Sequence, residues 1–202
     1  MNLNPNGCDG GCGGACRLAV SPVLSVNAPK PPCVICGRAF YQSQSQHDEF
    51  SHMSRVLENL FIGGWSNASS REELRHFNIK RILNAAGELP NVFIAASTIT
   101  YKKFTWSDDP FTDNISGDLH TAADFIHEAL EAKEPILVHC AMGISRSTTC
   151  VIAYLIKYKG LTYDEALNLI SKSRPIVRPN FAYVESLKRF GEILIIQDKL
   201  ML

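Results

Sequence analysis

The sequence predicts an α/β domain in which a central, mostly parallel sheet is flanked by helices. Short apolar runs such as residues 136–138, bounded by Pro135, have the pattern of strands that are buried on both faces. These runs alternate along the chain with segments of helical periodicity, which is the order of elements in an α/β fold. The chain has 202 residues, 46% of them apolar, which is enough for one domain of ordinary size and an appendage.

Residues 1–52 form the appendage, a low-complexity extension that we expect to be disordered. Gly, Pro, Ser, Gln and Asn are frequent in it, and apolar clusters are few. Its cysteines are Cys8, Cys12, Cys16, Cys33 and Cys36. Cys33 and Cys36 have the spacing of half a zinc site, but the upstream cysteines are irregularly spaced. We therefore favour free thiols in a mobile tail over a structural zinc site.

Residues 53–199 form the predicted folded domain, and hydrophobic patterns place its elements in order. Ser69 or Ser70 is positioned to cap a short helix that ends at Phe77, and Thr162 forms a capping box with Glu165. Strands are predicted at residues 55–57, 60–62, 81–85, 99–106 and 136–138. Longer helices are predicted at residues 116–132, from 147 through at least 156, and at 162–174 and 180–197. Phe181 is expected on the buried side of the last helix.

Residues 140–146 join the predicted core strand to the helix that follows, with Gly143 at the centre of the loop. Loop N–H groups and the positive end of a helix dipole converge there on one point, which makes an anion trap. The trap lies at the carboxyl end of its strand, where α/β sheets bind ligands. Cys140 lies inside it, and the same features that bind phosphate lower the pKa of a thiol. We interpret Cys140 as a nucleophile and Arg146 as a bidentate phosphate ligand, and the alternative is a buried structural cysteine.

The string HCAMGISRS, from His139 to Ser147, resembles the signature loop of cysteine-dependent protein phosphatases of the small, atypical dual-specificity type. The string RPIVRPN at residues 174–180 matches the same pattern, and the resemblance extends from about Arg55 to about Leu194. It implies a three-layer fold with a five-stranded sheet. It also implies hydrolysis of phosphotyrosine and of phosphoserine or phosphothreonine in proteins, through a cysteinyl-phosphate intermediate.

The resemblance implies a role for each residue of the loop. Cys140 attacks phosphorus, Ser147 donates to the departing thiolate, and His139 orients the loop and helps to hold the cysteine ionised. The phosphoryl oxygens are held by the side chain of Arg146 and by the backbone N–H groups of the loop, which comprises Ala141, Met142, Gly143, Ile144, Ser145 and Arg146. We expect no metal and no cofactor, because the loop itself supplies the charge stabilisation.

The leaving oxygen needs a proton donor, and the acidic segment at residues 106–113 supplies the candidates. Counting back from Asn114, which resembles the residue before the next helix in the family, favours Asp109 as the general acid. Asp108 is second, and Asp113 is further from the pattern. The alternative interpretation is a solvated acidic turn.

The loop between Cys140 and Arg146 carries no cationic side chain, which bears on the substrate. Similar phosphatases that act on phosphoinositides or RNA triphosphates usually carry extra positive charge around the phosphate, so by this resemblance a neutral loop favours the single phosphate of a protein side chain. By family analogy, MAP kinases are candidate substrate proteins. Two alternatives stay open: a catalytically weak module that binds phosphoproteins, and a phosphatase that acts on a lipid or glucan ester.

Charge and targeting signals narrow the setting in which the chain acts. Lysines and arginines number 20, as do aspartates and glutamates, so the net charge gives no support for nucleic-acid binding. No apolar run has the length of a membrane span, and the first residues lack the pattern of a secretory signal. We therefore expect the protein in the cytoplasm or nucleus. The sequence does not predict an oligomeric state.

Overall fold

The computed structural model describes residues 52–93, 98–109 and 115–200, and it contains a five-stranded sheet. The strands are β1 (Ser54–Leu57), β2 (Leu60–Gly63), β3 (Arg81–Asn84), β4 (Thr100–Lys103) and β5 (Ile136–His139), in the order β1-β2-β5-β3-β4. Within this sheet β1 runs antiparallel to β2, and the remaining pairs are parallel. The central strand β5 is buried along its whole length. The prediction of a mostly parallel, five-stranded sheet is confirmed.

Helices cover both faces of the sheet. They are α1 (Trp65–Ala68), α2 (Arg71–His76), α3 (Ser116–Glu131), α4 (Arg146–Lys159), α5 (Tyr163–Ser171) and α6 (Phe181–Leu200). Successive side chains of a strand point to opposite faces. Ile136 and Val138 accordingly pack with α3, α4, α5 and α6, whereas Leu137 packs in a smaller cluster with α1 and α2. The three-layer arrangement implied by the resemblance is confirmed.

Two helices begin at the caps that the sequence predicts. The Ser70 hydroxyl accepts from the N–H of Glu73 at 3.3 Å, which starts α2. The Thr162 hydroxyl accepts from the N–H of Glu165 at 3.3 Å, and the Glu165 carboxylate accepts from the Thr162 N–H at 2.9 Å. Both predicted caps are confirmed, because each side chain satisfies N–H groups that have no partner inside the helix.

Two short elements differ from the sequence-based expectation. The helix α1 was not predicted, since it has four residues and follows Gly64, whose lack of a side chain gives no capping signal. The sequence run 99–106 predicts a strand that ends at Trp106, but the strand β4 ends at Lys103. Beyond it the rings of Phe104 and Trp106 stack in the core with centroids 5.2 Å apart. Their apolar character therefore reflects core packing and not a longer strand.

The prediction that Phe181 lies on the buried side of the last helix is wrong. Its side chain is 73% exposed, and Tyr183 is buried in its place. The Asn180 side chain accepts from the N–H of Tyr183 at 2.9 Å, which caps α6 and sets its rotation. The first residue of the helix consequently faces outward.

Several predictions concern parts of the chain outside the described residues. The expected disorder of residues 1–51, the cysteine pair at Cys33 and Cys36, and the residues Asp113 and Asn114 all belong to this group. Among the described helices, none combines the length and the apolar character that a membrane span requires.

Candidate active site

The loop at the carboxyl end of β5 has the backbone geometry of the predicted anion trap. Gly143 has a φ of 69°, in the left-handed region that favours glycine. A Cβ at this position would lie 2.6 Å from the carbonyl carbon and oxygen of Gly63. Gly143 is therefore required both by conformation and by space. The loop then continues directly into α4, which begins at Arg146.

The carbonyl groups of the loop turn outward to donors that lie outside it. The Arg174 guanidinium donates to the carbonyl oxygens of Met142 and Gly143 at 3.1 and 2.8 Å. Backbone N–H groups bind the other three carbonyl oxygens, each at 2.9 Å: Trp65 to Ala141, Arg178 to Ile144, and Thr149 to Ser145. In a trans peptide the N–H points opposite to the carbonyl of the same unit. The loop N–H groups are thereby turned toward the centre of the loop.

Cys140 lies at the base of this loop and is 2% exposed. Its Sγ is 3.4 Å from the Ser147 hydroxyl oxygen. Burial opposes ionisation of the thiol, but the Ser147 hydroxyl and the N–H groups of Ser147, Ile144 and Gly143 outweigh it. The pKa of Cys140 consequently lies below its ordinary value, so the thiolate becomes accessible at lower pH.

His139 precedes the cysteine, and its imidazole is neutral at physiological pH. Burial, together with the nearby cations Arg146 and Lys103, lowers the pKa of His139 to about 4. Its Nδ1 lies 3.4 Å from the Cys140 carbonyl oxygen, which fits the predicted role in orienting the loop. A neutral ring contributes no positive charge to a neighbouring thiolate. That His139 helps to hold the cysteine ionised stays a prediction, and a neutral ring would have to act through the position of the loop.

Arg146 is 4% exposed and has one edge of its guanidinium occupied. Its Nη1 donates to both carboxylate oxygens of Glu88 at 2.8 Å and to the carbonyl of Trp106 at 3.1 Å. Its Nε is buried and makes no hydrogen bond within the described residues. A buried donor without a partner is costly, so this nitrogen is suited to a ligand oxygen.

The acidic segment reaches the loop through Asp108. Its Oδ1 accepts from the Ser145 hydroxyl at 2.7 Å and from the Asn180 amide at 3.1 Å. Its Oδ2 lies 3.9 Å from Nε of Arg146. Asp109 follows, and the side chains of both aspartates are exposed. Counting along the sequence favours Asp109, whereas the contacts bring the Asp108 carboxylate to the loop.

Sequence reasoning missed two residues of the site. Glu88, in the loop after β3, binds Arg146, and Arg174 is 2% exposed and donates to the loop carbonyls. Arg174 belongs to the string RPIVRPN, but nothing in that string indicates its partner. Because β3 is parallel to β5 and adjacent to it, β3 ends at the same edge of the sheet as β5, and the loop after β3 starts there. That rule indicates the loop that holds Glu88, although not the residue.

The residues that form this site lie within a domain of a known protein family. The sequence profile of the dual specificity phosphatase catalytic domain matches residues 60–193. The chain belongs to the dual specificity phosphatase family. This result confirms the resemblance drawn from the loop strings, and it makes the chain a member of a family of protein phosphatases.

Individual relatives agree with this assignment to the dual specificity phosphatases. The chain is 37% identical over 135 residues to the dual specificity protein phosphatase Mpk3 of Drosophila melanogaster, covering 65% of this chain and 32% of that protein. The crystal structure of human DUSP28 matches with a TM-score of 0.67 and 26% identity, covering 71% of this chain and 99% of that one.

A second solved structure matches about equally well and has a different name. The human tyrosine phosphatase-like serine/threonine/tyrosine-interacting protein has a TM-score of 0.65 and 28% identity, covering 72% of this chain and 99% of that one. The chain spans about a third of the length of the curated relatives it matches. The shared part is the catalytic domain.

Proposed function

We propose that this chain is a protein phosphatase that hydrolyses phosphotyrosine and phosphoserine or phosphothreonine through a cysteinyl-phosphate intermediate. The observation that carries the proposal is the thiol of Cys140, whose pKa is lowered by Ser147 and by loop N–H groups. The same N–H groups form the receptor for a phosphoryl dianion, as expected where a loop meets a helix start. A thiolate at the base of a phosphate receptor is placed for attack on phosphorus.

In the first step, the Cys140 thiolate attacks the phosphorus atom in line with the leaving oxygen. The sulfur–phosphorus bond forms as the phosphorus–oxygen bond breaks, and a proton moves to the leaving oxygen from a carboxylic acid. The loop N–H groups and Nε of Arg146 hold the non-bridging oxygens, where charge is concentrated in the transition state.

In the second step, water replaces the sulfur. The carboxylate formed in the first step takes a proton from water, whose oxygen attacks phosphorus as the sulfur–phosphorus bond breaks. The departing Cys140 thiolate accepts a hydrogen bond from Ser147, whose oxygen lies 3.4 Å away. Inorganic phosphate leaves, and the free thiolate is restored.

We assign the acid to Asp108, in preference to the Asp109 that sequence counting favours. Three contacts support this choice: those with Ser145 and Asn180 at 2.7 and 3.1 Å, and the approach to Arg146 at 3.9 Å. Together they hold the carboxylate beside the loop that we propose as the phosphate receptor. Asp109 stays the second candidate.

The side chains at the rim favour a protein substrate. Met142 in the loop is 68% exposed. Phe181 is 73% exposed, and it is the residue after Asn180, which contacts Asp108. Such apolar groups suit the side chains around a phosphorylated residue, whereas a polyphosphorylated headgroup needs further cations. The proposal includes a MAP kinase as the substrate protein and the cytoplasm or nucleus as the location. This part of the proposal is based on family analogy.

A second function is a phosphoprotein-binding module with weak catalysis. It is supported by the likeness to the human tyrosine phosphatase-like interacting protein. Against it stand the lowered pKa of Cys140 and the carboxylate of Asp108 beside the loop.

A substrate panel separates these functions. The full chain is incubated with peptides that carry phosphotyrosine, phosphothreonine, phosphoserine or both of the first two, with phosphoinositide micelles, and with a phosphoglucan, all at equal phosphate concentration. Release of inorganic phosphate is expected from the peptides first. Faster release from the lipid or the glucan contradicts the proposal, and peptide binding without release favours the binding module.

A further inference from the structure

Glu88 lies at the proposed phosphate receptor. Its carboxylate has no role in the mechanism above, and the sequence strings that match the family do not include it. Both of its oxygens accept from Nη1 of Arg146 at 2.8 Å, and 52% of its side chain is exposed. The next residue back, Gly87, donates its N–H to the Trp106 carbonyl at 3.3 Å. That carbonyl also accepts from Nη1 of Arg146 at 3.1 Å. The loop after β3 is thus connected to the arginine both directly and through Trp106.

These contacts determine which edge of the guanidinium is free to meet a ligand. Three acceptor atoms converge on Nη1, whereas Nε is buried, makes no hydrogen bond within the described part of the chain, and has the Asp108 carboxylate 3.9 Å away. The guanidinium is a rigid planar fork, so fixing Nη1 fixes the direction of Nε as well. An arginine held in this way is prepared for an incoming oxyanion.

We propose that Glu88 is a positioning residue that holds Arg146 with its Nε edge toward the phosphate receptor. The proposal rests on the proposed function only in taking the ligand of the receptor to be a phosphoryl group. A side chain ordered before the ligand arrives loses less rotational freedom on binding, and affinity rises accordingly. Glu88 acts through Arg146 and makes no contact with the substrate in this account.

The charge of Glu88 acts in the opposite direction and has to be weighed. Partial burial favours its neutral form, but its own backbone N–H, Arg146 and Lys103 outweigh this, and the pKa of Glu88 lies below its ordinary value. The carboxylate is therefore ionised and repels a phosphate dianion. Half of the side chain is in water, which screens this repulsion, whereas the hydrogen bonds to Arg146 are short and direct. Positioning is consequently expected to dominate over repulsion.

The competing interpretation is a latch, in which Glu88 occupies Arg146 and has to be displaced by phosphate. The two interpretations predict opposite signs for one measurement. Removal of the carboxylate weakens oxyanion binding if Glu88 positions the arginine, and strengthens it if Glu88 competes with the anion.

The test uses tungstate, a tetrahedral dianion that is not turned over, and the full chain. Calorimetry gives its dissociation constant for the parent, for Glu88→Ala and Glu88→Gln, and for Glu131→Gln as a charge-matched control. Glu131 is exposed at the end of α3, at the opposite end of β5 from Cys140. We expect about tenfold weaker binding for Glu88→Ala and about threefold for Glu88→Gln, which keeps one acceptor. The control is expected to match the parent.

Thermal unfolding and steady-state kinetics complete the test. The unfolding temperature of Glu88→Gln should stay within about 2 °C of the parent, since the site is exposed. KM for an aryl phosphate should rise in parallel with the tungstate dissociation constant. Unchanged or tighter tungstate binding in both Glu88 variants overturns the proposal, as does an absence of tungstate binding in the parent. If the parent binds tungstate but hydrolyses nothing in the panel, the proposed function fails and the role of Glu88 stands.

Discussion

The ionisation of the Cys140 thiol depends on hydrogen bonds from one hydroxyl and a few N–H groups. A single substitution should therefore change its pKa measurably. Ser147→Ala removes the hydroxyl at 3.4 Å and leaves the N–H groups in place. A hydrogen bond to a charged group corresponds to about one pKa unit or more. We expect the pH midpoint of iodoacetamide alkylation below 9.0 in the parent, and about one unit higher in the variant.

Cys150 serves as an internal control for this alkylation. It is completely buried, and burial together with the nearby Cys140 raises its pKa, so it should not react in the folded chain. Peptide mass spectrometry assigns the modified thiol. A parent midpoint at or above 9.0 for Cys140, or no change in Ser147→Ala, would count against the proposed ionisation.

Asp108 and Asp109 are adjacent candidates for the general acid, and single substitutions distinguish them. Asp108→Asn removes the proton donor, so kcat for an alkyl phosphate, whose leaving group is poor, should fall by about 10²-fold or more. Asp109→Asn should change it by less than about threefold, because it leaves in place the Asp108 carboxylate, which contacts Ser145 and Asn180 beside the loop. Steady-state assays of both variants give the comparison. A larger loss in Asp109→Asn restores the assignment made from sequence counting.

What the sequence predicts about the site depends on whether its residues are contiguous. Cys140, Arg146 and Ser147 lie in one string, so their spacing alone brings the nucleophile, the arginine and the hydroxyl together. Glu88 and Asp108 lie in two other loops, and their distance from Arg146 depends on the order of the strands. The rule that parallel strands end at one edge indicates those loops, but only side-chain geometry distinguishes Asp108 from Asp109.

Among the elements, the segment after α5 supports the loop through Arg174. This guanidinium is 2% exposed and donates to the Gly143 and Met142 carbonyls and to the Ser54 hydroxyl. Arg174→Ala leaves buried carbonyls without donors, so we expect the free energy of unfolding to fall by about 3 kcal/mol. Tungstate affinity should fall as well, because the loop N–H groups lose their orientation. Urea denaturation and calorimetry measure the two effects.

Arg189→Ala is the matched control for that substitution. Arg189 lies exposed on α6, and its removal should change the free energy of unfolding by less than about 0.5 kcal/mol. Equal stability of Arg174→Ala and Arg189→Ala would show that the loop does not depend on Arg174.

The elements themselves were predictable to different degrees, for physical reasons. The helices α2 and α5 begin at Ser70 and Thr162, where side chains satisfy helix N–H groups locally. The side of α6 that is buried depends on Asn180, which caps the helix while it also contacts Asp108 in a distant loop. Such a tertiary contact has no local signal, which is why Phe181 was placed on the wrong side.

At the scale of the whole molecule, the core of the described domain starts at Met53. Its side chain is 5% exposed, and its N–H donates to the buried Glu73 carboxylate at 2.6 Å. We expect a shortened chain, residues 52–202, to unfold cooperatively within about 3 °C of the full chain and to hydrolyse an aryl phosphate equally fast. Calorimetry and steady-state assays provide the comparison. A large loss of turnover at unchanged stability would assign residues 1–51 a part in the site.

The central claim, that Cys140 carries the phosphoryl group during turnover, can be tested by trapping the intermediate. An aryl phosphate, whose leaving group needs little protonation, is mixed with the Asp108→Asn variant and quenched in acid within the first turnover. In this variant the second step lacks its base, so the intermediate should accumulate. The account predicts one phosphoryl group on the peptide that contains Cys140, and no turnover in Cys140→Ser. A phosphoryl group on another residue, or retained turnover in Cys140→Ser, would contradict it.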